Sequence, residues 1–282
     1  MKLRTPFKVL SVSLALIGTH LPISPSGAAN PPAQSAYVDT CGAPNNVPLS
    51  RAKARKLVKR IRKDLDAVED QIRNVPFLDA VEAGTASIEQ IAAVAAEEYS
   101  IVLSDANSFA QMADRWDSPQ GSQLFSGLVA GEAVAFQLLL DFAATVGLDE
   151  QDLIAYEPRP KGQTYPSRVA WIASNADRAS AAASFLVNFE VFGENMGRMR
   201  DALVNVYGFE PEEVGFFGLF ADPIPGFEDD AIEVIAAGLR EGACTRDVRR
   251  SARLLQAYEL DFWQAVGEPP GSQLPVSWQP AP

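Results

Sequence analysis

The sequence predicts an all-α protein, and three observations lead to this prediction. Apolar residues recur at every third or fourth position through most of residues 50–267, which is the spacing that places them on one face of a helix. Alternating apolar and polar residues, typical of strands, are absent, and no repeat of 20–50 residues is evident. Glycine, proline, asparagine or aspartate separates most of the periodic stretches. We therefore expect a single domain of about eight helices over 50–267.

The predicted helices begin near residue 50. Leucine, isoleucine and valine recur at helical spacing from Leu57 to Ile72, and Asn74-Val75-Pro76 ends this first helix. A short segment over 77–83 stops at Gly84-Thr85. Ser87 and Gln90 then form a capping box that starts a long helix ending near residue 115. Further helical stretches are expected near 119–147, 166–175, 178–207, 211–221, 228–241 and 245–267.

The two ends of the chain differ from this region. Lys2, Arg4 and Lys8 precede a short apolar run over 9–18, and small residues follow at 26–29, a pattern typical of a signal peptide. We therefore predict a signal peptide over 1–29, an irregular arm over 30–49, and a secreted or periplasmic protein without a later membrane segment. If the signal is not real, the protein is cytoplasmic; an uncleaved anchor is a further alternative. Residues 268–282 hold five prolines and are expected to form a loose tail.

The only two cysteines are Cys41 and Cys244. Cys41 lies in the predicted arm, and Cys244 lies in a break between two predicted helices. An oxidising compartment would allow a disulfide between them. Two free thiols are the alternative.

Charge is distributed unevenly along the chain, whose formal net charge is −12. Residues 51–63 hold eight basic residues and no acidic one, whereas residues 64–282 hold 13 basic and 35 acidic residues. Such an acidic chain disfavours nucleic-acid binding, which depends on neutralising phosphates. We interpret the basic segment as the solvated face of the first helix, attracted to the acidic remainder. Contact with a membrane or an anionic partner is the alternative.

The residue types restrict the chemistry. The single histidine, His20, lies in the predicted signal peptide. A mature chain without histidine supplies no proximal haem ligand, no histidine-containing zinc site and no Ser-His-Asp triad. Nucleotide-binding glycine motifs are absent as well. We expect no metal and no cofactor, although an all-carboxylate metal site remains open in principle.

The candidate site consists of polar residues inside apolar helical stretches. A buried carboxylate without a partner costs several kcal/mol or more, and helical bundles build ligand sites from such inward-facing side chains. Each residue alone is compatible with a structural role at the margin of the core. Together they predict a polar patch inside the bundle: Glu98 and Asp105 in AVAAEEYSIVLSD (93–105), Glu132 in LVAGEAVAFQLLLDFAA (128–144), Asn188 and Phe192 in FLVNFEVFGENMGRM (185–199), and Glu259 in LLQAYELDFWQAV (254–266).

The order of these motifs resembles the TenA/thiaminase II and PqqC family. NVPFLDAVEAGTASIEQIAAVAAEEY (74–99) is similar to the opening of that family, with its Pro-Phe pair, Gly-Thr break and acidic-aromatic cluster. TYPSRVAWI (164–172) resembles the segment with a pocket tyrosine, and FLVNFEVFGENMG (185–197) the central helix. YELDFW (258–263) resembles the final helix. The resemblance covers residues 74–267 and implies a haem-oxygenase-like helical bundle.

The resemblance also implies roles for individual residues. Glu259 matches the catalytic glutamate of the thiaminases, Tyr165 matches a pocket tyrosine, and Glu98 falls where the family has an aspartate that holds an aminopyrimidine. The nucleophilic cysteine, however, falls on Asn188, and a tyrosine one turn later falls on Phe192. An amide does not replace a thiolate nucleophile. The resemblance therefore implies a related pocket without thiaminase cysteine chemistry.

Two functions from different classes follow. One is a binding module for a small amino-bearing heterocycle, held by Glu98, Asp105, Glu132, Tyr165, Asn188, Phe192 and Glu259. The other is a C–N hydrolase in which Glu259 is the general base. A third hypothesis is an interaction protein that binds its partner through the basic helix 51–63. By analogy with the family, the protein is compatible with a homo-oligomer.

Overall fold

Ten α-helices and no β-strand make up the part of the chain that a computed structural model describes, residues 50–116, 119–269 and 274. The all-α prediction is confirmed, with ten helices rather than about eight. In chain order the helices are α1 Arg51–Arg73, α2 Pro76–Glu82, α3 Ile88–Arg115, α4 Pro119–Thr145, α5 Glu150–Ala155, α6 Thr164–Asn175, α7 Arg178–Asn205, α8 Gly215–Ala221, α9 Phe227–Arg240 and α10 Thr245–Val266.

Local sequence signals account for several helix ends. Pro76 is the first residue of α2, a position where its missing N–H costs nothing. The predicted capping box of α3 is confirmed, because Gln90 N donates to Ser87 Oγ at 3.3 Å and Ser87 N donates to Gln90 Oε1 at 3.1 Å. Gly84, between these helices, has a φ of +67°, a left-handed conformation that glycine adopts readily.

The apolar pattern does not predict α5. This helix has six residues, fewer than two turns, so no helical period can be seen in it. Its signal is instead a capping box, in which Asp152 N donates to Asp149 Oδ1 at 2.9 Å and Asp149 N donates to Asp152 Oδ2 at 3.1 Å. Capping chemistry, rather than periodicity, marks such a short helix.

Helix α7 is central to the packing. It contacts α8, α9 and α10, while α3 packs against α4 and α6. The side chains of α7 are buried without a break from Ala179 to Asn188. Glycine permits a close approach at Gly193, where an added Cβ would lie 2.7 Å from the Phe220 carbonyl oxygen of α8. This contact holds α8 directly on α7.

The prediction for the two ends of the chain can be compared with the structure only in part. The predicted signal peptide, the arm with Cys41 and most of the tail lie outside the described residues, so the Cys41–Cys244 bridge remains a prediction.

Within the described ranges one helix, Gly121–Thr145, is long and apolar enough by composition to cross a membrane, and 33% of its most apolar window is buried. A core helix of a soluble protein meets the same criterion.

Candidate functional site

A small cavity lies among helices α3, α4, α6, α7, α8 and α10. Its volume is about 30 Å³, enough for one or two water molecules. We call it the carboxylate cavity, because four acidic side chains line it together with aromatic and aliphatic ones. The lining residues are Glu98, Ile101, Val102, Asp105, Glu132, Tyr165, Phe189, Phe192, Phe220, Glu259 and Phe262.

Six of the seven predicted site residues line this cavity, and the seventh lies directly behind it. Asn188 is buried next to Glu259 and reaches the cavity only through that glutamate and Tyr165. Asn195 lies seven residues after Asn188 on the same face of α7, and it does not line the cavity. Its amide donates to the Ile72 carbonyl oxygen at 3.1 Å, where it ties α7 to the end of α1.

The register of α3 explains two of the carboxylates. Glu98 and Asp105 are seven residues apart, which is two helical turns, so both side chains lie on one face. Ile101 and Val102 occupy the turn between them and line the same cavity. Glu98 is 3% exposed and Asp105 is 5% exposed. Helix α3 therefore contributes two buried acids to the cavity, with two aliphatic side chains between them.

Three of the four carboxyl groups have no hydrogen-bond partner within the part of the chain that the structure describes. Glu98, Asp105 and Glu132 accept no hydrogen bond from any described residue, and Oδ1 of Asp105 is fully buried without one. Burial raises the pKa of Glu98 and of Asp105 well above their ordinary values, and repulsion from the other cavity acids raises both further. Burial also raises the pKa of Glu132 to about 8. Burial therefore favours the protonated form of all three acids.

Glu259 has a different environment. Trp263 Nε1 donates to its Oε1 at 2.7 Å, and Asn188 Nδ2 donates to its Oε2 at 3.1 Å. These two donors favour the ionised form, whereas burial opposes it. Burial has the larger effect and raises the pKa of Glu259 to about 7. This carboxyl group consequently changes its charge within the physiological range.

A chain of amides fixes the orientation of Asn188. Its Nδ2 also donates to Gln256 Oε1 at 3.0 Å, and Gln256 Nε2 donates to Glu69 Oε1 at 3.1 Å. A carboxylate at each end of the chain requires an N–H, so the two amides have one consistent arrangement. The Asn188 oxygen then accepts from the Tyr165 hydroxyl at 3.3 Å. Both the oxygen and the nitrogen of the Asn188 amide are therefore held by hydrogen bonds.

Glu97, the neighbour of Glu98, belongs to a separate network. Its carboxylate accepts from Arg159 Nη1 at 3.0 Å, from the Arg159 backbone N–H at 2.9 Å and from the Tyr156 hydroxyl at 2.9 Å. Arg159 Nη2 donates in turn to the Glu268 carbonyl oxygen at 3.0 Å. These bonds connect α3 to the segment after α5 and to the end of α10. The role of Glu97 is structural.

Five cavity residues are missing from the sequence prediction of the site. Ile101 and Val102 lie between Glu98 and Asp105, and Phe262 lies one turn after Glu259, so helical spacing could have identified them. Phe189 follows Asn188 directly on α7. Phe220 has no such signal, because it reaches the cavity only through the packing of α8 on α7.

The sequence leaves an all-carboxylate metal site open in principle. Within the described ranges no three Asp, Glu, His or Cys side chains are grouped closely enough to hold a metal ion. The four carboxyl groups surround the carboxylate cavity without converging on one point.

Solved structures with this fold include three that cover most of the chain. A TenA homologue from P. horikoshii OT3 is 15% identical with a TM-score of 0.62, covering 74% of this chain and 97% of its own. A TenA homolog from Pseudomonas syringae pv. tomato is 11% identical with a TM-score of 0.65, covering 80% and 98%. A domain of unknown function with a heme oxygenase-like fold from Shewanella denitrificans is 19% identical with a TM-score of 0.58, covering 76% and 89%. At these identities the likeness shows the fold.

The sequence itself gives the family. No curated protein sequence matches the chain. The model of the TENA/THI-4/PQQC family matches residues 62–213, which is more than half of the chain and includes Glu98, Asp105, Glu132, Tyr165, Asn188 and Phe192. The resemblance inferred from the motifs is confirmed. The chain belongs to the TENA/THI-4/PQQC family and has a haem-oxygenase-like fold.

Proposed function

We propose that the protein binds a small, planar, amine-bearing cation of the amino-heterocycle class in the carboxylate cavity. The observation that supports this most strongly is the group of four acidic side chains in the lining, which become charged when they lose their protons. Glu98, Asp105, Glu132 and Glu259 meet there, and none of the lining residues is basic. Ionised acids in such a site need a counter-charge, since an unpaired buried charge is costly. A cationic ligand supplies it.

The other lining residues suit the same ligand. Phe189, Phe192, Phe220 and Phe262 offer ring faces and edges, and flat heterocycles pack well against them. A cation next to an aromatic face gains a further attraction. The acceptors of Glu259 and the other acids match N–H donors of an amino group, whereas a neutral hydrocarbon would leave them unpaired.

The cavity has to open for such a ligand. Its volume of about 30 Å³ admits water only. Glu132, Phe189, Phe192 and Phe220 are partly exposed and form the mouth. Phe220 lies on α8, which has seven residues and is held to α7 at Gly193. We expect the ligand to enter by moving this short helix and the phenylalanine side chains next to it.

Hydrolysis of a C–N bond is the second candidate, and the environment of Glu259 favours it. A carboxyl group whose pKa is raised to about 7 by burial is suited to exchange protons at neutral pH. In this reaction Glu259 removes a proton from water, the water oxygen bonds to carbon, and the leaving amine takes up the proton as the C–N bond breaks. Water serves as the nucleophile in this proposal, because the resemblance places Asn188 where the family has its cysteine.

The experiment is a calorimetric titration with aminopyrimidines and thiamine, followed by chromatography of each mixture after prolonged incubation. Binding without products identifies a binding module, and amine release identifies a hydrolase. Glu132→Gln should weaken binding about tenfold or more, since it removes one cavity charge. Asp141→Asn, an exposed position on the same helix, is the matched control and should leave binding unchanged. Lack of binding by every compound would rule out the proposal.

A further inference from the structure

A second cavity, of about 230 Å³, lies on the surface between α1 and α10. Four arginines of α10 line it at helical spacing, which places them on one face. Ile61, Asp64 and Leu65 of α1 complete the lining, and we call this feature the arginine cavity. Its arginines are Arg246, Arg249, Arg250 and Arg253.

The arginine cavity stands out against the charge of the chain. The formal net charge is −12, and residues 64–282 hold only 13 basic residues. Four of those 13 line the arginine cavity. The basic segment 51–63 lies on α1, which packs against α10. Most of the positive charge of an acidic protein is therefore collected along these two neighbouring helices.

Local acids do not neutralise the arginines. Arg249 Nη2 lies 2.6 Å from Asp64 Oδ2. Arg246 and Arg250 share a single oxygen of Asp247, each at 3.3 Å. Arg253 is exposed and forms no ion pair with any described residue. Arg246 and Arg250 thus share one carboxylate, and Arg253 has no ion-pair partner among the described residues, so these three arginines carry more positive charge than their ion pairs offset.

Seven of the eight basic residues of segment 51–63 fall into two groups. Arg51, Arg55 and Arg62 pair with Glu233, Asp229 and Glu190, so the expected attraction to the acidic remainder holds for these three arginines. The four exposed lysines of the segment have no ion-pair partner in the described residues. They are Lys53, Lys56, Lys59 and Lys63, and helical spacing places the last three on the side of α1 away from Ile61 and Leu65, so these lysines are not part of the arginine cavity.

We propose that the arginine cavity is a binding site for a phosphate-type oxyanion. Guanidinium groups bind phosphate oxygens through paired, charge-assisted hydrogen bonds, and several arginines on one face match a polyvalent anion. The volume of about 230 Å³ has room for a phosphate or diphosphate group. This site is separate from the carboxylate cavity and has the opposite charge, so it requires a different ligand. The same chemistry is found in a free phosphate ester and in a phospholipid headgroup.

The test uses three probes on the full chain at low salt: inorganic phosphate, pyrophosphate, and vesicles containing phosphatidylglycerol. Titration with the two soluble anions and sedimentation with vesicles distinguish the sources. We expect at least one probe to bind, with affinity that falls steeply as salt increases, because exposed charges are screened. Binding of the soluble anions identifies a free ligand, and binding of vesicles alone identifies a headgroup.

Two variants test whether the arginines of the cavity are responsible for the binding. Arg250→Gln with Arg253→Gln removes two exposed charges and should lower the affinity about tenfold or more. Arg200→Gln, in which the lost arginine pairs with its neighbour Asp201, is the control and should bind normally. Circular dichroism checks that each variant is folded. The proposal is overturned if none of the three probes binds, or if the double variant binds as well as the parent.

Discussion

Glu97 and Glu98 are consecutive, both are buried, and their carboxyl groups have opposite environments. Glu97 lies 3.0 Å from the Arg159 guanidinium, whereas Glu98 faces the carboxylate cavity with three other acids and no cation. Successive side chains of a helix point about 100° apart, so the two groups reach different neighbours. Glu97 therefore forms a buried ion pair, whereas Glu98 has no charge partner among the described residues.

The first prediction compares these two positions. Glu97→Gln should destabilise the protein by about 3–5 kcal/mol, because it leaves Arg159 buried without its charge partner. Glu98→Gln should be neutral or stabilising, since it replaces an acid that burial disfavours. Urea unfolding of both variants measures the difference. Equal losses of stability would mean that Glu98 has a structural partner as well.

The second prediction concerns pH. A carboxyl group whose folded pKa is raised stabilises the fold below its unfolded pKa, and this contribution is lost as pH rises through the folded pKa. For Glu259, whose pKa rises from 4.5 to about 7, the loss between those values is on the order of 3 kcal/mol. Glu132 adds a loss that continues to about pH 8.

Thermal unfolding of the parent and of Glu132→Gln across this pH window measures the effect. The stability advantage of the glutamine variant should grow as pH increases. Asp141→Asn corrects for the general change in surface charge. A constant difference between parent and Glu132→Gln would contradict the raised pKa of Glu132.

The third prediction concerns the contact between α7 and α8. Gly193→Ala places a methyl group 2.7 Å from the Phe220 carbonyl oxygen, so α8 must move. We expect a loss of about 1–3 kcal/mol and faster amide hydrogen exchange in α8. Gly197→Ala is the matched control one turn later, where the new methyl would lie at an ordinary 3.6 Å from Ala221 Cβ. Normal exchange in α8 of Gly193→Ala would show that this helix is not held at Gly193.

The fourth prediction tests the amide chain. Gln256→Glu replaces the N–H that Glu69 accepts with a second acid. The new carboxyl group can donate only when it is protonated, so the variant should be destabilised at pH 8 and recover near pH 5. Denaturant unfolding at both pH values measures this change in stability. A loss of stability that does not depend on pH would show that the orientation of the amides is not controlled from Glu69.

Sequence reasoning identifies those parts of the site that depend on helical register. Glu98 and Asp105 belong together because they are two turns apart on one helix, and Glu259 stands out within a stripe of Leu255, Phe262 and Trp263. Reasoning of this kind does not separate Glu97 from Glu98, since the choice depends on Arg159, some 60 residues later in the chain. It also misses Phe220, which only tertiary packing brings to the cavity.

The role of Asn188 could not be predicted from helical register for the same reason. Its position on α7 marks it as a polar residue in an apolar helix, but its partners Tyr165, Gln256 and Glu259 come from α6 and α10. Whether it lines the cavity or supports a lining residue therefore depends on how three helices cross. The structure places it in the supporting position, where its amide holds Glu259.

If the cavity acids take their counter-charge from a cationic ligand, binding of that ligand should release protons. Titration calorimetry with thiamine, whose thiazolium charge is permanent, is repeated at pH 7 in two buffers of different ionisation enthalpy. A bound cation lowers the pKa values of Glu132 and Glu259, so we expect protons to be released and Glu132→Gln to release fewer. Binding without proton release, or release that Glu132→Gln does not reduce, would show that the cavity acids are not the counter-charge of the ligand.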